Sequence, residues 1–342
     1  MLDVARRVGV SKNTVSLALR GSLRISEEVR VRVGEAAEAM GYRLDPTVAE
    51  LMARLRKSGS PGFQATLAMV NANQAADAFR SHPTVPAYVR GCANRARQLG
   101  YELDEFWLHD PGMSSARLGS IFRARNIRGI LLVGLMEGNR LPPTHEELWR
   151  DHPVVVTGVR TREPAFSFSC SDHHALALEA YERVEAMGYR RPALVLDRVI
   201  DELTEGRFTA GFLTGQSRAA GRGGKTKPFY DVQAARQRPE LFHRWLERNR
   251  PDVIFTLYHE VRRWLTAAGL RVPEDIGLVQ YEWRADHRDW AGMDQRNDLV
   301  GEAAVDMLIS MIHHRESGVI QPRATMIGSR WVEGETVRIQ KK

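Results

Sequence analysis

The sequence predicts two structural parts: a small all-helical module at the N-terminus and a larger α/β domain built on two parallel sheets. Residues 1–44 hold three short amphipathic segments separated by turns, and glycine and proline interrupt the polar segment 57–62. From residue 64 onward, apolar strand-like runs alternate with helical patterns. Such alternation is typical of parallel strands that are joined by right-handed helical crossovers.

Positive charge is concentrated in the N-terminal module. The chain of 342 residues has a net charge of +7, and residues 1–60 hold 11 Lys and Arg against 7 Asp and Glu. This excess favours a polyanionic partner such as DNA. The alternative is an arginine-rich composition that raises the net charge without any role in nucleic-acid binding.

Neither secretion nor membrane insertion is indicated. The segment MLDVARRVGV carries charges where a signal peptide requires an apolar region, and no apolar run approaches the ~18 residues of a membrane span. Cys92 and Cys170 match no metal-binding spacing, and we predict that both are reduced and packed. We therefore expect a cytoplasmic protein with no membrane partner.

The first three helices have the pattern of a helix-turn-helix. Residues 2–8 predict the first helix, and Gly9 supplies a tight turn. Ser11 caps a second helix that ends near Gly21, and Ser26 begins the third. In this motif the second helix enters the major groove of DNA. From these residues alone, the alternative is a small helical bundle.

The outward face of the second helix carries side chains that can contact DNA. Lys12 can donate to guanine, and Asn13 can pair with adenine through two hydrogen bonds. Ser16 can donate or accept, and Leu17 can touch a thymine methyl group, so we predict base reading by these four residues. Phosphate contacts position such a module without reading sequence, and the candidates are Ser11, Thr14, Arg20 and Arg24, with Arg30 and Arg32 on the third helix.

Three stretches, DVARRVGVSKNTVSLALRG, RISEEVRVRVGEAAEAMGYR and LDPTVAELMARL, resemble the lactose-repressor (LacI) family of transcription regulators. The resemblance covers residues 1–57 and implies the base-reading positions given above. It also implies a hinge helix from Thr47 to about Leu55, which Asp45 caps. By the same resemblance, Leu51 wedges into the minor groove at the operator centre, a role compatible with packing against its dimer mate.

Two departures from the family pattern affect the DNA contacts. Leu17 stands where many relatives carry arginine, so a strong guanine contact is absent at that position. The chain also begins at the first helix, without the few residues that usually precede it and touch phosphate. The alternatives are a module that binds less tightly and a start codon that lies further upstream.

The larger domain also resembles part of this family. GCANRARQLGYELDEF, RARNIRGILLVG and LRVPEDIGLVQY are similar to its periplasmic-binding-protein-like effector domain, in which two parallel-sheet subdomains enclose a cleft. The predicted boundaries are a helix-turn-helix DNA-binding domain at 1–44, a hinge helix and linker at 45–61, and an effector-binding domain at 62–342, with an N-subdomain at about 62–160 plus 296–325 and a C-subdomain at about 164–285.

The resemblance places a small-molecule effector in the cleft, at the carboxyl ends of the strands. The candidate effector-binding residues are Asp172, Arg207, Tyr258, Glu282 and Trp283. Most depart from the family pattern: Tyr258-His259 replaces an Asn-Asp pair, Glu282-Trp283 replaces aspartates, and Arg207 is one residue out of step. Five aromatic residues lie near the predicted crossovers: Phe166, Phe168, Tyr281, Trp283 and Trp290. The two alternatives for them are stacking on a sugar and covering an interface between the subdomains.

Three other motifs do not indicate chemistry. AAGRGGKT (219–226) fits a relaxed phosphate-loop pattern, but a helix precedes it and Pro228 follows, so we predict a flexible basic loop. In SDHH, His173 and His174 point to different faces of a helix, and no second cluster has a metal-ligand spacing. His313 and His314 are expected on the solvent side of the last helix. We predict no catalytic residues, no metal site and no cofactor.

With this fold, the resemblance implies a ligand-responsive, sequence-specific DNA-binding regulator, in its commonest form a repressor. The expected partners are a near-palindromic double-stranded operator, a small-molecule effector such as a carbohydrate, and a second copy of the chain. Because no heptad tail follows the last strand, a homodimer is expected rather than a tetramer. The competing classes are a solute-binding protein, which would carry a secretion signal and no helix-turn-helix, and an enzyme.

Overall fold

The computed structural model describes residues 2–11, 14–15, 18, 25–40, 63–219, 224–318 and 321–340. The chain divides into two compact units, Met1–Pro61 and Gly62–Lys342. Several predicted DNA contacts lie outside the described residues, namely Lys12, Asn13, Ser16, Leu17, Arg20, Arg24 and the hinge helix with Leu51.

Helices and strands alternate along the larger unit, as the sequence predicts. The strands are β1 (Ala65–Asn71), β2 (Tyr101–Trp107), β3 (Ile127–Val133), β4 (Val154–Thr157), β5 (Ser167–Ser171), β6 (Pro192–Val195), β7 (Val253–Thr256), β8 (Gly277–Gln280), β9 (Ala291–Asp294), β10 (Ala324–Ile327) and β11 (Arg330–Val332). The helices with assigned bounds in both units are α1 (Leu2–Val8), α2 (Glu27–Ala39), α3 (Ala78–Ser81), α4 (Val85–Gln98), α5 (Ser115–Ala124), α6 (Glu146–Asp151), α7 (His173–Ala186), α8 (Arg198–Leu203), α9 (Arg207–Arg218), α10 (Val232–Gln237), α11 (Glu240–Asn249), α12 (Glu260–Ala267) and α13 (Asn297–His314).

The small unit is built around one apolar cluster. Its buried members are Val4, Ala5, Val8, Val15, Ala18, Val33 and Ala37, which come from α1, from the second predicted helix and from α2. The guanidinium group of Arg32 donates to the carbonyl oxygen of Val8 at 3.0 Å and ties α2 to the end of α1. Ser11 caps as predicted, because its Oγ accepts from the backbone N–H of Thr14 at 3.0 Å.

The strands of the larger unit form two sheets. The first has the order β10-β5-β4-β3-β1-β2, and its pairs are all parallel. The second has the order β11-β9-β8-β7-β6 and is parallel except for the antiparallel pair of β11 and β9. Along β3, Ile130 and Leu132 pack in one apolar cluster while Leu131 and Val133 pack in another, so this sheet is covered on both faces. The predicted α/β architecture of two parallel-sheet subdomains is confirmed.

The predicted subdomain limits need correction. The sequence pattern starts the C-subdomain near residue 164, but β5 pairs with β4 and β10 in the first sheet. The strands β9 and β11, which the pattern does not predict, extend the second sheet beyond the expected end near 285. Phe168 takes its register partner, Ala324, from far along the chain. The residues of a short buried strand do not specify such a distant pairing, so sheet membership was wrongly predicted.

Glycine lies where α4 and α13 pack against each other. A Cβ atom on Gly91 would clash with the carbonyl oxygen of Asp298, and one on Gly301 would clash with that of Tyr88. The buried Cys92 lies in the same contact, with its Sγ 3.4 Å from the carbonyl oxygen of Gly301. The two helices approach so closely because neither glycine has a side chain.

Replacing Gly301 by alanine should lower the free energy of unfolding by about 1–3 kcal/mol, because a methyl group would force two backbones apart. Gly119→Ala is the matched control: it lies in α5, and an added Cβ would make only an ordinary contact at 3.5 Å. We expect this variant to gain about 0.4–1 kcal/mol. Urea unfolding followed by tryptophan fluorescence reports the larger unit, since all seven tryptophans lie in it. Equal effects of the two substitutions would contradict this packing argument.

Candidate functional site

Three chain crossings connect the two sheets and are bonded to one another. The chain passes from β5 to α7, from β9 to α13, and from β10 to β11. The hydroxyl of Ser171 donates to the carbonyl oxygen of Gln295 at 2.8 Å, and the backbone N–H of Asp172 donates to Ile327 O at 2.9 Å. The Gln295 amide in turn donates to the carbonyl oxygen of Tyr281 at 2.9 Å. The carboxyl ends of both sheets are therefore held around these crossings.

Glu282 follows β8 and is hydrogen-bonded across the subdomain boundary. Its Oε2 accepts from the hydroxyl of Thr84, just before α4, and its Oε1 accepts from the side-chain amide of Asn297, at the start of α13; both distances are 3.0 Å. Burial raises the pKa of the Glu282 carboxyl, and the charge of Arg284 and the two donors oppose that shift. Glu282 thus links the second sheet to two helices that pack on the first.

A cavity of about 380 Å³ opens beside this carboxylate. Its walls come from both subdomains and include Arg90, Glu282, Trp283, Arg284, Arg296 and Asn297. The indole Nε1 of Trp283 is buried and has no hydrogen-bond partner within the described part of the chain. Carboxylate, indole N–H and guanidinium groups beside an aromatic ring can hold a polyhydroxylated ligand. Two of the five predicted effector residues, Glu282 and Trp283, meet here.

A second cavity, of about 420 Å³, lies at the carboxyl ends of β1 and β3. Sequence reasoning missed its polar lining, which includes Asn73, Gln74, His109, Glu137 and Arg140. Asn73 is fixed because its amide donates to Gly134 O at 3.1 Å, and the amide nitrogen of Gln74 lies 3.4 Å from His109 Nε2. The available signal was the segment NANQ, in which Asn71 ends the first strand and Asn73 and Gln74 follow it, since polar residues at strand ends face a cleft in this architecture.

The other three predicted effector residues line neither cavity. Asp172 caps α7, where its carboxylate accepts from the backbone N–H of Ala175 at 3.0 Å. Arg207 pairs with Glu205 at 2.9 Å, and its guanidinium group lies 3.4 Å from Cys170 Sγ.

The hydroxyl of Tyr258 accepts from the backbone N–H of Asp197 at 3.0 Å. Burial raises the pKa of this phenol. All three side chains therefore already have protein partners, and their contact with an effector stays a prediction.

The aromatic residues near the crossings are mostly core. Phe166 and Phe168 are buried in a cluster on the first sheet. Tyr281 is fully buried between Phe208 and Phe255, with ring centroids 5.4 Å and 5.2 Å apart, respectively. Trp290 is also buried, with its ring centroid 5.1 Å from that of His259. Of the five predicted stacking residues, Trp283 is the one that lines either cavity in the described chain.

Histidines and cysteines show no metal-site arrangement. Over the described ranges, no three His, Cys, Asp or Glu side chains are grouped to hold a metal ion. His173 is instead buried against the ring of Phe208, with centroids 4.5 Å apart, and burial lowers its pKa to about 3. Both cysteines are free and buried, as predicted. His313 and His314 are exposed, as expected, and His313 Nε2 lies 3.2 Å from the Tyr101 hydroxyl.

Four predicted phosphate contacts of the small unit are described: Ser11, Thr14, Arg30 and Arg32, of which Arg32 already donates to the carbonyl oxygen of Val8. Ser11 Oγ and Thr14 Oγ1 lie 2.8 Å apart at the exposed start of the second helix. Either hydroxyl can still donate to a phosphate oxygen, because one hydrogen bond does not use both the donor and the acceptor capacity. None of the described helices has both the length and the apolar composition of a membrane span.

The chain is similar to known proteins over both units. Residues 1–45 match bacterial regulatory proteins of the lacI family, and residues 181–337 match the periplasmic binding protein-like domain. The HTH-type transcriptional regulator CelR of Thermobifida fusca is 25% identical over 323 residues, which cover 90% of each chain.

Two solved structures share the fold over nearly the whole length. The transcriptional regulator CelR–cellobiose complex is 22% identical with a TM-score of 0.62, covering 97% of this chain and 98% of that one. The lac repressor dimer bound to operator and the anti-inducer ONPF is 18% identical with a TM-score of 0.59, covering 98% and 97%. The predicted fold class is confirmed by these likenesses.

Acid should destabilise the larger unit partly through His173. The pKa of His173 is about 3 in the folded state and 6.5 in the unfolded state. Its contribution to the free energy of unfolding is therefore complete above pH 6.5 and is lost as the pH falls towards 3. Within that range, the free energy of unfolding falls by about 1.4 kcal/mol per pH unit. His173→Leu should flatten the decline of urea stability between pH 6.5 and 4, whereas His174→Leu, at the next and less buried position, should leave it unchanged. Identical slopes for the wild type and both variants would refute this assignment.

Proposed function

We propose that the chain is a member of the LacI family of bacterial regulatory proteins and that it is a repressor whose operator affinity is set by a sugar bound between its two subdomains. It is a DNA-binding transcriptional regulator and not an enzyme, because CelR, which matches 90% of this chain, is a transcriptional regulator. The observation that supports the proposal is the order of the two matches along the chain: a lacI-type N-terminus is followed by a periplasmic-binding-protein-like domain. In this structure, that domain has two subdomains with cavities at the carboxyl ends of their strands.

The DNA side of the proposal rests on the N-terminal unit. A homodimer places two such units on a near-palindromic operator, as in the lac repressor dimer on its operator. In each half-site the proposed base-reading residues are Lys12, Asn13, Ser16 and Leu17. The proposed phosphate contacts are Ser11, Thr14, Arg20 and Arg24, and Leu51 is the proposed minor-groove wedge. Since its target is chromosomal DNA, we place the protein in the cytoplasm.

The effector side rests on the cavity beside Glu282. The related CelR protein is known in complex with cellobiose, a polyhydroxylated ligand. We infer that a sugar hydroxyl donates to the Glu282 carboxylate and that the Trp283 indole N–H or ring contacts the same ligand. Asp172, Arg207 and Tyr258 stay candidates that would have to exchange a protein partner for the ligand.

The same carboxylate supplies a route from ligand to hinge. A ligand hydroxyl that binds Glu282 competes with Thr84, whose hydrogen bond joins the two subdomains. Losing that bond allows the angle between the sheets to change, and with it the spacing of the two N-terminal units in a dimer. Allosteric couplings of this type amount to about 1–3 kcal/mol, so one or two hydrogen bonds are enough to transmit the signal.

The first test is selection from random DNA with the full chain, which should enrich a near-palindrome. At the base pair facing residue 17, we expect thymine or a tolerant position, because leucine contacts only a methyl group. Leu17→Arg should shift that preference towards guanine by about 1–3 kcal/mol. Arg24→Gln, the control at a proposed phosphate contact, should weaken binding to all sequences alike and lower the salt slope by about one. Failure to enrich any palindrome would reject the proposal.

The second test is the response to cellobiose and to a panel of other sugars. Glutamine has one acceptor oxygen, so Glu282→Gln turns an N–H₂ group towards a donor and should raise the Kd of the bound sugar at least tenfold in calorimetry. Glu202→Gln is the control, because Glu202 is exposed on α8. Operator release, followed by fluorescence anisotropy, should need correspondingly more sugar in E282Q. Unchanged sugar affinity in E282Q would remove this carboxylate from the effector site.

A further inference from the structure

A groove of about 700 Å³ follows the outer edge of the second sheet, separate from the two cavities described above. One wall is the extended segment 224–231, in which Phe229 pairs beside Val195 of the edge strand β6. The other wall is α11, which contributes Leu241 and Trp245. The groove is as large as many small-molecule sites, which occupy about 300–1,000 Å³.

Its lining is strongly basic. Five cationic side chains, Arg198, Lys225, Lys227, Arg244 and Arg248, share the groove with a single carboxylate, that of Asp231. None of the five forms an ion pair with any carboxylate of the described residues, whereas arginines of neighbouring helices do: Arg236 pairs with Glu260, and Arg262 with Asp289. The groove therefore has a net positive charge.

Backbone geometry brings these cations together. Lys225 and Lys227 are two residues apart in an extended segment, so their side chains leave the same side. Arg244 and Arg248 are one helical turn apart on α11, where like charges repel each other. Neither arginine forms an ion pair with Glu240 or Glu247 of the same helix, so a bound anion would relieve the repulsion between them.

The aromatic part of the lining is already fixed. The Trp245 indole N–H donates to the carbonyl oxygen of Lys227 at 2.7 Å, which ties α11 to the extended wall. The Tyr230 hydroxyl lies 2.8 Å from Thr209 Oγ1, and the Arg198 guanidinium carbon lies 5.0 Å from the centre of the Tyr230 ring. A guanidinium group held over a ring keeps its N–H edge available for two parallel bonds to phosphate.

We propose that this groove binds a small phosphorylated molecule, so that the protein has an anion site distinct from its sugar site. The concave shape and the fixed aromatic side chains favour a compact ligand over an acidic protein surface. The mode differs from a phosphate loop, in which a strand leads into a glycine turn and a helix. Here α9 precedes the glycine-rich stretch, and the phosphate is held by side chains of the extended segment, of α8 and of α11.

Calorimetry of the full chain at 150 mM NaCl tests the proposal with two probes, inorganic pyrophosphate and ADP. We expect at least one to bind with a Kd of 1 mM or tighter, and we expect Arg244→Gln/Arg248→Gln to weaken it at least tenfold. Arg117→Gln/Arg123→Gln is the matched control, since it removes two exposed arginines from α5 in the other subdomain. Adding each probe to protein saturated with cellobiose separates this groove from the sugar site.

Every outcome either supports or overturns the proposed anion site. Loss of binding in R244Q/R248Q with normal binding in R117Q/R123Q and in the cellobiose-saturated protein supports the site. Preference for ADP over pyrophosphate identifies an organic phosphate, and equal binding identifies the phosphate groups as the recognised part. No binding of either probe to the wild type at 5 mM, equal weakening in both double variants, or displacement by cellobiose overturns the proposal. The comparison of the two double variants depends neither on operator binding nor on cellobiose, so it tests the groove separately from the proposed regulatory function; only the cellobiose experiment rests on the proposed sugar site.

Discussion

The hydrogen bonds that Glu282 accepts from Thr84 and Asn297 join the two halves of the larger unit at the place where the chain crosses between its sheets. The crossings cannot move independently, because Ser171 donates to Gln295 and the neighbouring Asp172 donates to Ile327. A relative rotation of the sheets must therefore bend these short segments and also change the contacts of this one carboxylate. That constraint makes the region around Glu282 suitable for coupling a ligand to a hinge.

The free energies at Glu282 allow its hydrogen bonds across the subdomain boundary to be exchanged for bonds to a ligand. Hydrogen bonds to a charged acceptor contribute about 1.5–3 kcal/mol each, while removing a carboxylate from water costs several kcal/mol. The raised pKa of Glu282 reflects that desolvation. Because the two effects oppose each other, a ligand that offers equivalent donors can take the place of the present hydrogen bonds.

The candidate site was only partly predictable. Glu282 and Trp283 were identified because the resemblance to the LacI family places cleft residues directly after the strand that ends at Tyr281. The polar residues Asn73, Gln74 and His109 also follow strands but belong to no motif, and they were missed. Asp172 and Arg207 were assigned by the same reasoning, yet their polar groups already bind Ala175 and Glu205. Sequence position shows that a side chain lies near the cleft, but it does not show which neighbour reaches that side chain first.

The sequence by itself determined what depends on neighbouring residues: the helical module with its Ser11 cap, the alternation of strands and helices, and the start of α7 at the Asp172 cap. Capping, periodicity and apolar runs act within a few residues, so they are legible in the chain. Only the tertiary structure decided that β5 joins the first sheet, that β9 and β11 complete the second, and that Glu282 meets Thr84 from the opposite subdomain. Many of those features depend on hydrogen bonds between residues more than a hundred positions apart. The residues next to each partner in the sequence do not specify which distant residue it will bond.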